Sequence, residues 1–301
     1  MNQRPATAKQ PPQGPGRLGK ILTYALLWFW TFVCLFPLYW VTVTSLKAGA
    51  AIERGPYYLP FVDFTPSLAS WMFILADPYD NLLARYFNSA AIGLSATLLT
   101  LLLGGMAVYG LTRFRRALPW TPAGSQAILF AILATRILPP IVIVIPVYMM
   151  AQYTGTLDTR LALIVTYTAV NLPVAVWLLQ PVFGPAASEQ EEAAQLDGAS
   201  HLRIFFTIFL PMVAAGVAAA GLLIFILCWN EYLFAAYLAG NRVMTLPPWL
   251  VGQMSMKEAQ VGGEAEEWAH LSAATVLMTV PLLAGAAAAQ RFLGRMALRQ
   301  R

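Results

Sequence analysis

The sequence predicts an all-α protein that crosses a membrane six times, and three observations support this. Of the 301 residues, 58% belong to the hydrophobic set and only 11% are charged, whereas a soluble domain is about a quarter charged. Uncharged runs are long enough to cross a hydrocarbon layer, which takes about 20 helical residues. Basic residues are divided unevenly between the two sides that these runs define. This composition excludes an ordinary soluble enzyme, a disordered chain and a nucleic-acid-binding protein.

The six predicted spans alternate with connections that carry most of the charged residues. Every span is free of Asp, Glu, Lys and Arg except the third, which contains Arg136. The spans lie within residues 21–46, 86–112, 117–157, 161–188, 204–230 and 271–290. Residues 21–292 therefore form one six-helix transmembrane domain, and residues 293–301 form a basic tail.

The first span follows a basic segment, residues 1–20, that is rich in Pro, Gln and Gly. Such a start also suggests a secretion signal, but the apolar core of a signal is about 7–15 residues long. The run at residues 21–46 is longer than that, so we interpret it as a retained membrane anchor. Residues 1–20 contain too few apolar groups to fold and are predicted to be a disordered tail.

The positions of the nineteen Lys and Arg residues predict the orientation. Twelve lie on the side that carries both termini and six on the other side, with Arg136 inside a span. Since cytoplasmic loops carry the excess of positive charge, both termini are predicted to be cytoplasmic.

The connection between the fourth and fifth spans, residues 188–211, is predicted to be a helix–turn–helix that we call the elbow. Ser188 followed by Glu191 matches a capping box, which starts a helix. Gly198 accepts the left-handed backbone conformation and is a natural helix stop. A second short helix is predicted from Ser200 through Ile208, and Pro211 is predicted to break the chain before the fifth span.

The elbow resembles a known family at each fixed position of its signature. Glu192-Ala193-Ala194, Gly198, Ile208 and Leu210-Pro211 match the coupling loop of bacterial ABC importer permeases. Other segments resemble the maltose-type sugar permeases: Tyr109-Gly-Leu-Thr-Arg-Phe114, Arg136-Ile-Leu-Pro-Pro140, Ile145-Pro146, Leu157-Asp158-Thr159, Asn171-Leu-Pro173, Trp229-Asn230-Glu231 and Thr245-Leu-Pro247. The likeness covers nearly all of residues 20–295, although residues 47–53 depart from the family's usual sequence. It implies the type I ABC importer permease fold.

The resemblance also implies how the elbow works. In the family it docks in a groove on a cytoplasmic ATPase, whose closure on ATP switches the permease between inward- and outward-facing states. The implied coupling residues are Glu191, Glu192, Ala193, Ala194, Asp197, Gly198, Ala199, Ile208, Leu210 and Pro211. This chain lacks the Gly-x-x-x-x-Gly-Lys-Ser/Thr motif of nucleotide-binding proteins. ATP and Mg²⁺ are therefore expected on the partner ATPase, and no cofactor is expected in this chain.

The partners implied by the resemblance are a second permease subunit forming a heterodimer, an ATPase dimer and an extracytoplasmic sugar-binding protein. The implied cargo is a carbohydrate, whether an oligosaccharide, a monosaccharide or a polyol. The expected location is the bacterial cytoplasmic membrane, with several spans in the lipid bilayer.

Four residues are candidates for a substrate pathway: Arg136, Trp229, Asn230 and Glu231. A charge inside a membrane normally faces a bundle interior or a water-filled cavity. Asn230 and Glu231 offer hydrogen bonds to sugar hydroxyls, and Trp229 offers a stacking face. The alternative is that Arg136 pairs with Glu231, or binds helix backbone freed by Pro139, Pro140 and Pro146. The sequence leaves both interpretations open.

Other classes of function lack support in the sequence. An ion-coupled secondary transporter usually shows internal repeats, and it would leave the elbow unexplained. A membrane enzyme would need a catalytic cluster, and His201 and His270 have no partner at metal-ligand spacing. Cys34 and Cys228 lie in apolar runs and are expected to pack as small hydrophobic residues. No catalytic residue and no metal site is predicted.

Overall fold

The computed structural model describes residues 17–76, 82–113, 124–183, 188–257 and 264–299. In these ranges the chain is mostly helical, and strand pairing is confined to one isolated bridge between Pro60 and Phe64. The predicted all-α class is therefore confirmed for the described part of the chain.

The helices follow one another without any sheet between them. The first seven are α1 (Arg17–Thr44), α2 (Gly49–Glu53), α3 (Ala69–Ala76), α4 (Leu82–Arg113), α5 (Gly124–Ala134), α6 (Pro140–Tyr153) and α7 (Arg160–Phe183). The others are α8 (Ser188–Leu196), α9 (His201–Ile204), α10 (Leu210–Met212), α11 (Ala214–Trp229), α12 (Leu233–Leu238), α13 (Leu246–Lys257) and α14 (Glu264–Arg299). A 3-10 turn covers Thr135–Ile137, and a π-helical stretch covers Phe205–Phe209.

The helices at both ends of the chain extend into the predicted tails. Residues 1–16 of the predicted disordered tail lie outside the described residues, but α1 begins at Arg17 and so includes the last four residues of that tail. At the other end, α14 continues to Arg299, through most of the predicted basic tail.

Four single helices are long and apolar enough to cross a membrane: α1, α4, α7 and α14. Two further stretches pass the same test only as bent pairs of helices. The described residues thus contain four candidate spans, or up to six if each bent pair is one span. The predicted first, second, fourth and sixth spans each fall on one of the long helices.

The predicted third span is one of the bent pairs, and Arg136 lies at its corner. Its two halves, Ala127–Ile137 and Pro140–Tyr153, meet at an angle of 89°. Leu138 is extended (φ −64°, ψ 126°) because the residue before a proline disfavours the helical region. Arg136 therefore lies in the 3-10 turn at the corner, not in the interior of a straight span. Residues 117–123 of this span lie outside the described residues.

The predicted fifth span, residues 204–230, is the other bent pair. His201–Met212 and Ala214–Trp229 form an angle of 84°, and the break falls at Val213 (φ −95°, ψ 8°). Pro211 was predicted to be the break, but the chain stays helical through it to Met212. The preceding π-helical stretch has already departed from α-helical hydrogen bonding, so the missing N–H of Pro211 does not end the helix there.

The core lies where α4, α7 and α11 meet, and small residues allow these helices to approach closely. A Cβ atom built at Gly104 of α4 would lie 2.9 Å from Cβ of Ala175 in α7. A Cβ atom built at Gly221 of α11 would lie 2.9 Å from a methyl carbon of Leu101 in α4. Between helices in a membrane, such contacts supply much of the packing energy.

Among the described residues, the first helix, α1, packs mainly beside α14. Its side chains at residues 20–39 are all exposed although the helix is apolar on every side. Such a surface suits contact with lipid chains or with another transmembrane subunit. Cys34 is exposed on this helix, so its expected burial is wrong, whereas Cys228 is buried as expected.

The segment after α1 folds back on the end of that helix around a buried lysine. Lys47 is 3% exposed, and its Nζ lies 4.6 Å from the ring centre of Trp40 and 5.5 Å from that of Phe64. Burial lowers the pKa of Lys47, and the charge of Asp63 partly offsets this effect. Hydrogen bonds from the backbone N–H groups of Leu59 and Tyr58 lower the pKa of Asp63.

Candidate functional site

The elbow begins where the sequence predicts, and it buries Glu191 against the end of α4. Its helix α8 starts at Ser188. The Glu191 carboxylate is 3% exposed, and it accepts hydrogen bonds from Nη2 (2.7 Å) and Nε (2.9 Å) of Arg113 and from the hydroxyl of Tyr109 (3.2 Å). Glu191 therefore fastens the elbow to the end of α4, and its side chain is directed into the protein.

The turn between the two arms of the elbow depends on Gly198, as predicted. Its φ is +81°, in the left-handed region. The N–H of Ala199 donates to the carbonyl of Ala194 (3.0 Å), and the N–H of Gly198 donates to that of Gln195 (3.0 Å). These two bonds form a Schellman motif, which ends a helix through its backbone alone. These backbone bonds set the angle at which the chain turns away from α8 after Gly198.

The second arm starts at Ser200, whose hydroxyl accepts from the N–H of Arg203 (3.4 Å). It runs through α9, the π-helical stretch and α10, so it extends beyond the predicted end at Ile208. Its inner side is anchored by Ile204, Phe205 and Phe209, which are at most 2% exposed. The ring of Phe209 lies 5.1 Å from that of Tyr109. The second arm thus rests on the same end of α4 as the first.

The outer side of the elbow is exposed and mixes acidic with apolar side chains. Glu192, Ala193, Asp197, Gly198 and Pro211 are exposed, and Ala194, Ala199, Ile208 and Leu210 are half-buried. Three large apolar residues stand out: Leu196 is 90% exposed, Leu202 60% and Phe206 47%. Most of the predicted coupling residues are thus exposed or half-buried along residues 192–211, whereas Glu191 is buried.

Arg136, at the corner of the third span, binds backbone rather than a carboxylate. Its Nη1 donates to the carbonyl of Val170 in α7 (2.9 Å). One alternative from the sequence was that Arg136 binds helix backbone freed by Pro139, Pro140 and Pro146. The acceptor in the structure is a backbone carbonyl, but it belongs to α7. Arg136 also lines a cavity of about 430 Å³ whose other walls, including Ile143, are mostly apolar.

The other three pathway candidates lie at the end of α11. Trp229 is 1% exposed, and its indole N–H donates to the carbonyl of Met278 in α14 (3.1 Å). In this conformation the ring therefore faces the core and offers no open stacking surface. Asn230 is exposed, while the Glu231 carboxylate caps α12 by accepting from the N–H of Phe234 (3.0 Å). Arg136 and Glu231 make no hydrogen bond to each other.

We expect Arg136→Leu to lower transport roughly tenfold, as for the loss of a hydrogen bond to a charged group, while the protein still assembles. An apolar replacement removes the cost of placing a charge in the membrane, so insertion should not suffer. The measurement is substrate uptake in vesicles, normalised to the amount of assembled complex. Arg54→Leu, at an exposed arginine outside the spans, is the control. Unchanged uptake for Arg136→Leu would show that this arginine has no part in the pathway.

The structure adds a site residue, Asp158, whose role the sequence did not reveal. Its carboxylate accepts from the backbone N–H groups of Gly240 (2.8 Å), Val243 (3.1 Å) and Arg242 (3.3 Å). Its own φ is +54°, a costly conformation that persists only where several bonds hold it. Asp158 therefore ties the turn between α6 and α7 to the loop after α12. The sequence places Asp158 in a segment that resembles the sugar permeases and shortly before a helix, a position typical of a cap, but it does not show these partners.

Apolar helices around a closely packed core, four of them long and apolar enough to cross a membrane, are typical of an integral membrane protein. The family of binding-protein-dependent transport system inner membrane components matches residues 117–298. The chain belongs to this family, which confirms the resemblance seen in the elbow.

Individual relatives extend over most of the chain. A probable ABC transporter permease of Sinorhizobium fredii is 33% identical over 90% of this chain and 93% of its own. The diacetylchitobiose uptake permease of Streptomyces coelicolor is 31% identical over 87% and 82%. The trehalose/maltose permease of Thermococcus litoralis is 30% identical over 87% and 88%.

Solved structures show the same fold. A bacterial ABC transporter that imports the acidic polysaccharide alginate superposes with a TM-score of 0.69 at 21% identity, covering 92% of this chain and 96% of that one. The inward-facing MetNI methionine ABC transporter gives a TM-score of 0.54 at 15% identity, covering 75% and 98%.

Proposed function

We propose that this chain is the permease subunit of an ABC importer that moves a carbohydrate into the cytoplasm, driven by ATP hydrolysis in a separate ATPase docked on the elbow. The observation that carries the proposal is the open outer side of the elbow. Leu196, Leu202 and Phe206 are exposed there beside Glu192 and Asp197. An exposed apolar patch rimmed by polar groups marks a protein–protein contact.

The carbohydrate part of the proposal draws on what the relatives are named for. These include transport systems for diacetylchitobiose, trehalose and maltose, and lactose. All of these compounds are glycosides rich in hydroxyl groups, so a hydroxyl-rich cargo is the shared chemistry. In the proposed complex, this chain pairs with a second permease subunit and receives its cargo from an external binding protein.

The test is reconstitution of this chain with the ATPase, the second permease and the binding protein in liposomes. We expect uptake of a radiolabelled disaccharide only with ATP on the ATPase side and binding protein on the other side. Uptake that needs an ion gradient, persists without the ATPase and collapses with an ionophore would favour the ion-coupled secondary transporter instead.

The proposed orientation places both termini in the cytoplasm, because the basic residues concentrate on that side. A reporter fused after Arg301 should then be cytoplasmic, and one inserted at Gly262 should be external. Reporter activity in whole cells measures both positions. Finding the two reporters on the same side would contradict an odd number of crossings between them and hence the six-span arrangement.

A further inference from the structure

The cytoplasmic end of α4 holds both arms of the elbow through Arg113 and Tyr109. The Tyr109 hydroxyl donates to Glu191 (3.2 Å), and its ring lies 5.1 Å from that of Phe209. Arg113 makes a two-bond contact with the Glu191 carboxylate, which belongs to the first arm. The centre of its guanidinium also lies 5.3 Å from the ring centre of Phe209 in the second arm. A planar guanidinium bound at two points fixes orientation as well as distance, which a lysine does not do. The elbow is therefore held to α4 in one geometry.

The contact is on the side of the elbow that faces away from the proposed ATPase. Glu191 is 3% exposed, and the side chain of Arg113 is 19% exposed. Glu192, the next residue, is exposed on the outer side. Arg113 therefore contacts the elbow on its buried side, through Glu191, and does not cover the proposed docking surface.

The opposite end of α4 is fastened to a segment far away in sequence. The side-chain amide of Asn88 donates to the carbonyls of Arg242 and Met244, both at 3.3 Å. The hydroxyl of Ser89 accepts from the N–H of Leu246 (2.8 Å). A helix of 32 residues is about 48 Å long at 1.5 Å per residue. One helix thus joins the elbow to residues 242–246 at its far end.

We propose that α4 acts as a connecting rod, that is, as one rigid helix that transmits movement between the elbow and residues 242–246. Arg113 is the positioning residue that couples the elbow to this helix. Arg113 and Glu191 make the elbow and α4 move as a single body, and Asn88 and Ser89 transmit that movement to residues 242–246. This rests on the proposed function, since it assigns the route by which a movement of the docked ATPase reaches the other end of the permease. Without Arg113, the elbow would still dock but would shift against α4.

The test compares Arg113→Gln and Glu191→Gln with the charge-swapped pair Arg113→Glu with Glu191→Arg, in the reconstituted complex. Glu189→Gln is the control, because Glu189 is an exposed carboxylate of the same helix turn. We measure association of the ATPase, ATP hydrolysis with and without binding protein, and substrate taken up per ATP. Both single variants should keep the ATPase bound and lose uptake per ATP roughly tenfold, within the usual range of coupling between sites. The swapped pair should recover part of the loss.

The far end of the rod is tested with Asn88→Leu, which removes the bonds to the carbonyls of residues 242 and 244 and the bond accepted from Nε of Arg160 (3.0 Å). It should reproduce the roughly tenfold loss of uptake per ATP while ATPase association and basal hydrolysis stay normal. Normal uptake per ATP in Arg113→Gln and Asn88→Leu would overturn the connecting rod and leave the proposed function intact. Loss of ATPase association in Arg113→Gln would also overturn it, since Arg113 would then form the docking surface. Failure of the unmodified chain to bind an ATPase would instead contradict the proposed function.

Discussion

Gly198→Val and Glu192→Lys should each abolish ATP-driven transport while the protein still inserts in the membrane. At Gly198 the φ of +81° is a conformation that a β-branched residue resists, at a cost of about 1–3 kcal/mol. Nothing lies within 4 Å of a Cβ atom built there, so the valine would change the angle between the arms without a clash in the core. Glu192→Lys reverses one charge on the exposed outer side of the elbow, where we propose that the ATPase docks.

The measurement is co-purification of the ATPase with the permease, followed by ATP hydrolysis stimulated by the binding protein. Gly155→Val is a matched control, because Gly155 also has a positive φ (+67°) and open space around it but lies in the turn after α6. Glu189→Lys is the control for Glu192→Lys. If both elbow variants bind the ATPase and stimulate hydrolysis normally, the elbow is not the coupling element.

Gly104→Leu should prevent stable assembly of the helical core. The first side-chain carbon would already lie 2.9 Å from Cβ of Ala175 and 3.7 Å from its carbonyl carbon, and backbone cannot move aside as a flexible side chain can. Overpacking of this kind costs about 1–3 kcal/mol, and here it would also separate α4 from α7. We expect a much lower yield of monodisperse protein in detergent and a lower melting temperature.

Gly110→Leu, in the same helix, provides the comparison. Nothing lies within 4 Å of a Cβ atom at Gly110, so the same substitution should change stability little. Size-exclusion profiles and thermal unfolding of the two variants can be compared directly. If both variants give the same size-exclusion profile and the same melting temperature, the close contact between α4 and α7 at Gly104 is not required for assembly of the core.

Composition and hydropathy predicted a good part of this fold. Hydropathy located the apolar segments because it depends only on side-chain chemistry, and Gly198 was found because few other residues adopt its backbone conformation. Hydropathy does not record direction, however, so the corner after Arg136 was not predicted, and the break predicted at Pro211 lies two residues later, at Val213. Pro139 and Pro140 signalled the first corner, but a proline also occurs inside helices α6 and α7 without a comparable break.

The site was predicted less completely, because its key contacts join distant parts of the sequence. Glu191 matched a local capping pattern, while its actual partner, Arg113, lies 78 positions away. Asp158 and Gly240 are 82 positions apart. Trp229 appeared suited to stacking because it adjoins Asn230 and Glu231, but neighbours in sequence at the end of a helix point in different directions. Such pairings follow from the tertiary fold alone.

The backbone bonds that turn the elbow at Gly198 have a consequence for partner choice. The bonds from Ala199 to Ala194 and from Gly198 to Gln195 use main-chain atoms. The side chains of Gln195, Leu196 and Asp197 therefore contribute nothing to the shape of the turn, and all three are exposed. These positions can therefore be substituted without loss of the two backbone bonds that form the turn. In the proposed complex, residues 195–197 are the natural place to change which ATPase the permease accepts.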